Sequence, residues 1–192
     1  STYTYCRIPT TVPSCVGDLS QKSIAFVYQR NSGVADPNGL VITALLGLPN
    51  FHESNTTYGA IFPYPLTSSY PSTSYVYNWV QLNTPRLSIL IQNLYNFVPT
   101  GADSATIADG LQSVLDNPDP HNPTEIVVII ANSDAEVDSA VALADQLKTS
   151  STIITLSYTG DYDLSPLATS PTFTLKSTGD SKDDASLLLN SI

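Results

Sequence analysis

The stretch EIVVIIANSDAEVDSAVALADQLKTSSTIITLSY, residues 125–158, decides the fold class of this 192-residue chain. Two apolar runs rich in β-branched residues, 125–131 and 152–158, flank a segment at 135–148 whose apolar residues recur at helical spacing. A near-continuous apolar strand is typical of a parallel sheet covered on both faces, and a helix is the usual connection between parallel strands. The stretch therefore predicts a strand–helix–strand unit of an α/β sheet.

Similar signals continue on both sides of this stretch. Short apolar runs with β-branched and aromatic residues predict strands, and apolar residues at helical spacing predict helices. The further predicted elements are strands at 23–28, 57–62, 75–82 and 172–175 and helices at 39–48, 86–97, 105–115 and 180–190. Such alternation predicts an open α/β sheet with helices on both faces. Residues 75–82 alternate as an exposed edge strand does, and Asp103 is the predicted N-cap of the helix at 105–115.

The composition excludes several classes of partner. Charged residues make up 12% of the chain and the net charge is −10, whereas an average domain has about 25% charged residues. Nucleic acids and anionic membranes bind clustered cations, which this chain lacks. No apolar run approaches the roughly 20 residues that a membrane-spanning helix needs. We therefore predict no nucleic-acid partner and no membrane insertion.

Several features predict a secreted, extracellular glycoprotein. The chain starts at Ser1 and contains no Met, as cleavage of a signal peptide would leave it, although a trimmed start would look the same. Cys6 and Cys15, in a turn-rich N-terminal extension at 1–22, are expected to form a disulfide; two unrelated thiols are the alternative. Asn55 begins the glycosylation sequon Asn-Thr-Thr. Residues 23–192 are predicted to form one domain.

Four segments resemble the von Willebrand factor A (vWA) domain. They are SIAFVYQR at 23–30, PTGADSATIADGL at 99–111, the strand–helix–strand stretch quoted above, and DLSPLATSPTFTLKS at 163–177. The chain is most similar to the secreted vWA domains that accompany C-type lectin modules in nematodes. This resemblance implies a three-layer, mostly parallel sheet with one antiparallel edge strand, and an extracellular adhesion role.

The vWA family holds a metal ion with an Asp-x-Ser-x-Ser motif, a Thr and a second Asp beyond the carboxyl ends of its strands. In this chain Gln29 falls on the first Asp and Asn132 on the second, so neutral amides replace two carboxylates. Arg30 adds a positive charge beside the position of the ion. Because a hard divalent cation prefers anionic oxygen ligands, we predict no functional metal ion and no cofactor.

The same positions form a predicted ligand rim, because open α/β sheets bind ligands beyond the carboxyl ends of their strands. The rim residues are Gln29, Asn31, Gly33, Asp103, Ser104, Asn132 and Asp134. A weak cation site at Asp103, Ser104 and Asp134 is the alternative to a metal-free rim.

Residue patterns for catalysis are missing from the sequence. It contains neither a Gly-x-Ser-x-Gly nucleophile elbow nor a Gly-rich phosphate loop. His52 and His121 are predicted to be surface-loop histidines, and Asp161 and Asp163 to form turns. We predict that the chain is not an enzyme and has no catalytic residues.

Aromatic residues concentrate between Tyr58 and Trp79. Tyr75, Tyr77 and Trp79, on the predicted edge strand, form a predicted interaction edge, since low charge leaves such a strand open to pairing; packing across strands is the alternative. The sequence thus predicts metal-independent binding of a protein, a glycan or further copies of the chain. Two alternatives stay open: a structural protein that assembles into a matrix or filament, and small-molecule binding or hydrolysis at the strand-end crevice.

Overall fold

The computed structural model describes residues 5–7, 14–16, 22–30, 37–64, 76–95, 106–123, 125–131, 136–158 and 163–192. The strands in these ranges are β1 (Tyr5–Arg7), β2 (Ser14–Val16), β3 (Ser23–Gln29), β4 (Tyr58–Tyr64), β5 (Val80–Gln81), β6 (Ile126–Ala131), β7 (Thr152–Ser157) and β8 (Thr174–Lys176). The helices are α1 (Pro37–Leu46), α2 (Pro49–His52), α3 (Arg86–Tyr95), α4 (Ile107–Asp116), α5 (Val137–Lys148) and α6 (Ser181–Ser191).

Six of these strands form one sheet in the order β5-β4-β3-β6-β7-β8. All neighbouring strands are parallel except β5, which lies antiparallel to β4 at one edge. The prediction of a mostly parallel α/β sheet with one antiparallel edge strand is confirmed. The order is that of a doubly wound fold, in which the chain builds outward from the central strand β3 in two directions.

Two apolar layers cover the two faces of the sheet because side chains alternate along each strand. Ile24 and Phe26 of β3 pack into the layer formed with α1, α3 and α6. Ala25 and Val27 pack into the layer formed with α4 and α5. The three-layer arrangement follows from this double-sided burial. No helix in the described ranges is long and apolar enough to cross a membrane.

The N-terminal extension contains a small antiparallel ladder. β1 pairs with β2, and Cys6 is the register partner of Cys15. Directly opposite residues in an antiparallel pair have Cα atoms about 4.5 or 5.5 Å apart, within the range of about 4.4–6.8 Å that a disulfide spans. The backbone is therefore compatible with the predicted disulfide, which stays a prediction.

The structure corrects several details of the element predictions. Within the described residues 76–82 the predicted edge strand at 75–82 is shortened to β5, and Tyr77 adopts a left-handed backbone conformation (φ 65°) instead of an extended one. The N-cap of α4 is Thr106 rather than Asp103: Thr106 is extended, and its side chain accepts from the amide of Asp109. The carboxylate of Asp109 accepts in return from the amide of Thr106 at 2.7 Å. This capping box satisfies two amides that a helix start leaves open.

Thr155 provides a prediction about stability. It is fully buried in β7, and its hydroxyl has no hydrogen-bond partner in the described part of the chain. Because a buried, unpaired hydroxyl is destabilising, Thr155→Val is expected to raise the free energy of unfolding by about 1 kcal/mol. The measurement is urea denaturation of the purified chain.

Thr169→Val is the matched control for this substitution. The hydroxyl of Thr169 accepts from the amide of Ile153 at 2.7 Å, so its removal is expected to lower the free energy of unfolding by about 1 kcal/mol. A loss of stability in Thr155→Val as large as that in the control would contradict the prediction.

Candidate functional site

The candidate site is the crevice at the carboxyl ends of β3 and β6, which are adjacent in the sheet. From β3 the chain crosses through α1 to β4 on one side, and from β6 it crosses through α5 to β7 on the other. This divergence is a topological switch point, where open α/β sheets bind their ligands. Gln29 ends β3 and Ala131 ends β6, so the segments that follow both strands start at this carboxyl edge.

Hydrogen bonds to backbone carbonyl groups hold the end of β3 in place. The side-chain amide of Asn38 donates to the carbonyl oxygen of Gln29 at 2.7 Å, and Asn38 is fully buried in the first turn of α1. The amide of Arg30 donates to the carbonyl oxygen of Tyr64, the last residue of β4, at 2.8 Å. The start of the rim is therefore attached both to α1 and to the neighbouring strand.

Arg30 is buried at this edge, with a relative exposure of 7%. Its Nη2 donates to the carbonyl oxygen of Leu94 at 2.9 Å, in the last turn of α3. Carbonyl groups at a helix C-terminus are left without partners inside the helix, and a cation is favourable there. The sequence places the positive charge of Arg30 near the rim, but it does not indicate this contact, because the contact depends on where α3 ends.

The helix α4 lies unusually close to the sheet at this edge. A Cβ atom added to Gly110, in its first turns, would lie 2.6 Å from Cγ1 of Val27 and 3.0 Å from Cδ1 of Tyr64. These strand residues lie near the carboxyl ends of β3 and β4. The missing side chain at Gly110 therefore sets how near α4 can approach the rim.

Most residues predicted for the rim and the interaction edge lie outside the described part of the chain: Asn31, Gly33, Asp103, Ser104, Asn132, Asp134 and Tyr75. Of the predicted rim residues Gln29 is described, and it is half-buried. Within the described ranges no group of three or more His, Cys, Asp or Glu side chains could hold a metal ion. Both the metal-free rim and the weak cation site stay predictions.

Trp79, predicted to lie on an exposed interaction edge, is instead buried, with a relative exposure of 6%. Its ring packs against Phe62 at a centroid distance of 6.0 Å, and its Nε1 donates to the carbonyl oxygen of Asn117 at 2.8 Å. Tyr77 is half-buried and stacks on the same Phe62 ring at 5.2 Å. The left-handed turn at Tyr77 directs both rings onto the sheet, so the packing alternative holds for these two residues.

A polar cluster at the opposite, amino edge of the sheet was not predicted. The Asp119 side chain is fully buried and accepts from the hydroxyl of Ser23. It also accepts from the amide of His121 at 2.8 Å and lies 2.9 Å from Nδ1 of that residue. The His121 side chain is 43% exposed and its ring stacks on Tyr58 at 3.9 Å. The cluster attaches the proline-rich segment before β6 to the starts of β3 and β4.

Asp163 forms a turn, as predicted, while Asp161 lies outside the described residues. The carboxylate of Asp163 accepts from the amide of Ser165 at 2.9 Å. Hydrogen bonds from the hydroxyl and the amide of Ser165 hold the pKa of Asp163 below its ordinary value of 3.8. The charge of Lys176 acts in the same direction, and desolvation acts against it.

We expect Ser165→Ala to raise the pKa of Asp163 toward 3.8. The substitution removes the hydrogen bond from the Ser165 hydroxyl, which lowers this pKa more than the other contacts do. The measurement is an NMR titration of the Asp163 carboxyl carbon, with the exposed Ser139→Ala as control. Since the pKa is lowered in the folded state, the ionised group contributes stability above 3.8, and that contribution is lost as the pH falls through the folded value. A pKa of 3.8 or higher in the unsubstituted chain would contradict this assignment.

The fold and the crevice define an open α/β domain with the strand order of ligand-binding, doubly wound sheets. No protein-family model and no curated protein sequence matches the chain. Among solved structures 28 chains match it. One is the pilus adhesin SpaC from Lactobacillus rhamnosus GG in its open conformation, with a TM-score of 0.60 and 10% sequence identity over 98% of this chain. A second crystal structure of SpaC matches over 99% of the chain with the same TM-score of 0.60 and the same 10% identity.

The chain spans about a third of the length of SpaC: the matches cover 32% and 33% of the adhesin. At 10% identity the likeness shows that the two proteins share a fold. The likeness extends over nearly the whole of this chain.

Proposed function

We propose that this chain is an extracellular adhesion-type domain that binds a protein or glycan partner at the carboxyl edge of its sheet. The observation that carries the proposal is the shared fold with a pilus adhesin over 98% of the chain. The switch point between β3 and β6 supports the location, because ligands of open α/β sheets bind there. The vWA resemblance supports the same class, and it implies the single antiparallel edge strand, β5.

We also propose that the domain binds without a metal ion and without catalysis. Gln29 offers a neutral amide at the position of a vWA carboxylate, and Arg30 is a cation in the adjacent position. Divalent hard cations favour sites with several anionic oxygen ligands. Both features lower the expected affinity of the rim for such an ion.

The binding test uses the immobilised chain and three probes: mucin, collagen and a glycan array. We expect binding to at least one probe, unchanged by EDTA, and lost in Asp134→Lys, which alters the predicted rim. Asp116→Lys is the matched control, since Asp116 is exposed and ends α4 at the opposite edge. Binding that EDTA removes would contradict metal independence. Equal loss in both variants would contradict the location, and binding to none of the probes would contradict adhesion to carbohydrate or matrix.

Self-assembly is distinguished from binding of a different partner by the molar mass of the chain. This mass is measured by light scattering over a dilution series, with and without Mg²⁺ and Ca²⁺. A constant monomer mass supports a domain that binds a different partner. Growth of mass with concentration supports assembly, for which the buried Trp79 is not an available contact. Growth that requires ions would overturn the metal-free rim.

A further inference from the structure

We propose that Asn55 carries an N-linked glycan, and that this glycan covers the amino edge of the sheet while the carboxyl edge stays open for a partner. The inference rests on the extracellular location in the proposed function. Asn55 begins the sequon Asn55-Thr56-Thr57 and is exposed in the turn between α2 and β4. In the described part of the chain its side-chain amide makes no hydrogen bond, so the modified nitrogen is not needed for the fold.

The backbone around Asn55 is well anchored, so the point of attachment of a glycan is defined. The carbonyl oxygen of Asn55 accepts from Nε2 of Gln81 at 2.8 Å. The hydroxyl of Ser54 donates to the hydroxyl of Thr57 at 2.6 Å and accepts from the amide of Thr57 at 3.2 Å. A glycan on this turn would start from a fixed point outside the packed core.

The topology separates this point from the candidate site. Asn55 precedes Tyr58, the first residue of β4, which pairs with Ser23 at the start of β3. The carboxyl edge, where the rim lies, is at the other end of both seven-residue strands, which end at Gln29 and Tyr64. At about 3.3 Å per residue, the two edges are roughly 20 Å apart along the strands. A glycan at Asn55 would therefore shield the edge that holds Asp119 and leave the crevice accessible.

The transfer step is chemically defined. Nδ2 of Asn55 attacks C1 of the first sugar of a polyprenyl-diphosphate oligosaccharide and loses one proton, which ends on the released diphosphate. The bond from C1 to the diphosphate oxygen breaks as the bond from C1 to nitrogen forms, and the diphosphate leaves with the electron pair. Thr57, whose hydroxyl completes the acceptor sequence, is fully buried in the folded chain. Transfer must then precede the burial of Thr57 during folding.

The first test is the mass of the full chain secreted behind a signal peptide from cultured insect cells. We expect the mass of one glycan in excess of the polypeptide, removed by peptide N-glycosidase. Asn55→Gln and Thr57→Val should lack it, whereas Thr57→Ser, which keeps the acceptor and the hydroxyl bonded to Ser54, should retain it. Secretion of the chain at its unmodified mass would overturn the inference, as would a glycan that persists in Asn55→Gln.

The second test locates the glycan by hydrogen exchange, comparing the glycosylated chain with the same sample after enzymatic removal. We expect slower amide hydrogen exchange in the glycosylated chain around 54–58 and at the starts of β3 and β6. We expect no difference in exchange at 28–30 or 130–131. Slower exchange at the latter segments would overturn the location. The mass reports whether Asn55 carries a glycan, and the adhesion probes report whether the domain binds a partner. A chain that binds a probe but carries no glycan contradicts this inference alone. A glycosylated chain that binds none of the probes contradicts the proposed function alone.

Discussion

Asp119→Ala is expected to lower the free energy of unfolding by about 3 kcal/mol, because it leaves the buried hydroxyl of Ser23 and the part-buried amide of His121 without their acceptor. The hydroxyl of Ser23, which is fully buried, loses its bond to the carboxylate, and so do the amide and ring of His121. For a domain of this size such a change lowers Tm by roughly 6–12 °C. The measurement is thermal and urea denaturation followed by circular dichroism.

Asp116→Ala is the control for this substitution. Asp116 is exposed, and its carboxylate accepts from Nε2 of Gln112 at 2.9 Å. An exposed contact of this kind contributes little, so a change of about 0.5 kcal/mol or less is expected. A loss in Asp119→Ala no greater than that in the control would show that the amino-edge cluster does not stabilise the fold.

Gly110→Ala is expected to lower the free energy of unfolding by about 2 kcal/mol, although alanine normally favours a helix over glycine by about 1 kcal/mol. The added Cβ would lie 2.6 Å from Val27 and 3.0 Å from Tyr64, both in the packed layer beneath α4. Either α4 or the two strand ends must then move. Because the rim residues Gln29 and Asn31 lie at and just beyond the end of β3, the strand that contains Val27, we also expect weaker binding to the adhesion probes.

Two variants separate steric overlap from a general effect of alanine. Gly47→Ala adds a Cβ whose nearest neighbours are ordinary contacts at 3.5 and 3.6 Å, so it should leave stability unchanged or raise it. Val27→Ala removes the atom nearest to the new Cβ. The double variant Gly110→Ala/Val27→Ala should therefore lose less stability than the sum of the two single losses. Additive losses would contradict the overlap.

The candidate site was predictable in part. That ligands meet the carboxyl ends of the strands follows from the alternation of strands and helices, and the structure places the ends of β3 and β6 side by side as this requires. The roles of Arg30 and Asn38 were not predictable. Each side chain bonds to a backbone carbonyl of another element: Asn38 to Gln29 at the end of β3, and Arg30 to Leu94, 64 positions away in the chain.

The sequence by itself determined the fold class of this protein. Periods of two and of 3.6 residues are local signals, and the apolar runs at 125–131 and 152–158 became the buried parallel strands β6 and β7. The N-cap of α4 was also locally encoded, since Thr106 and Asp109 have the spacing of a capping box, although Asp103 was predicted in their place.

Only the tertiary structure decided which polar and aromatic side chains became buried. Alternation at 75–82 is equally compatible with an exposed edge and with rings folded onto the sheet, and the left-handed turn at Tyr77 selected the second. The contact between Ser23 and Asp119 spans 96 positions and exists only because the segment before β6 crosses the start of β3. Burial of a polar group depends on partners brought together by topology, and no local pattern encodes them.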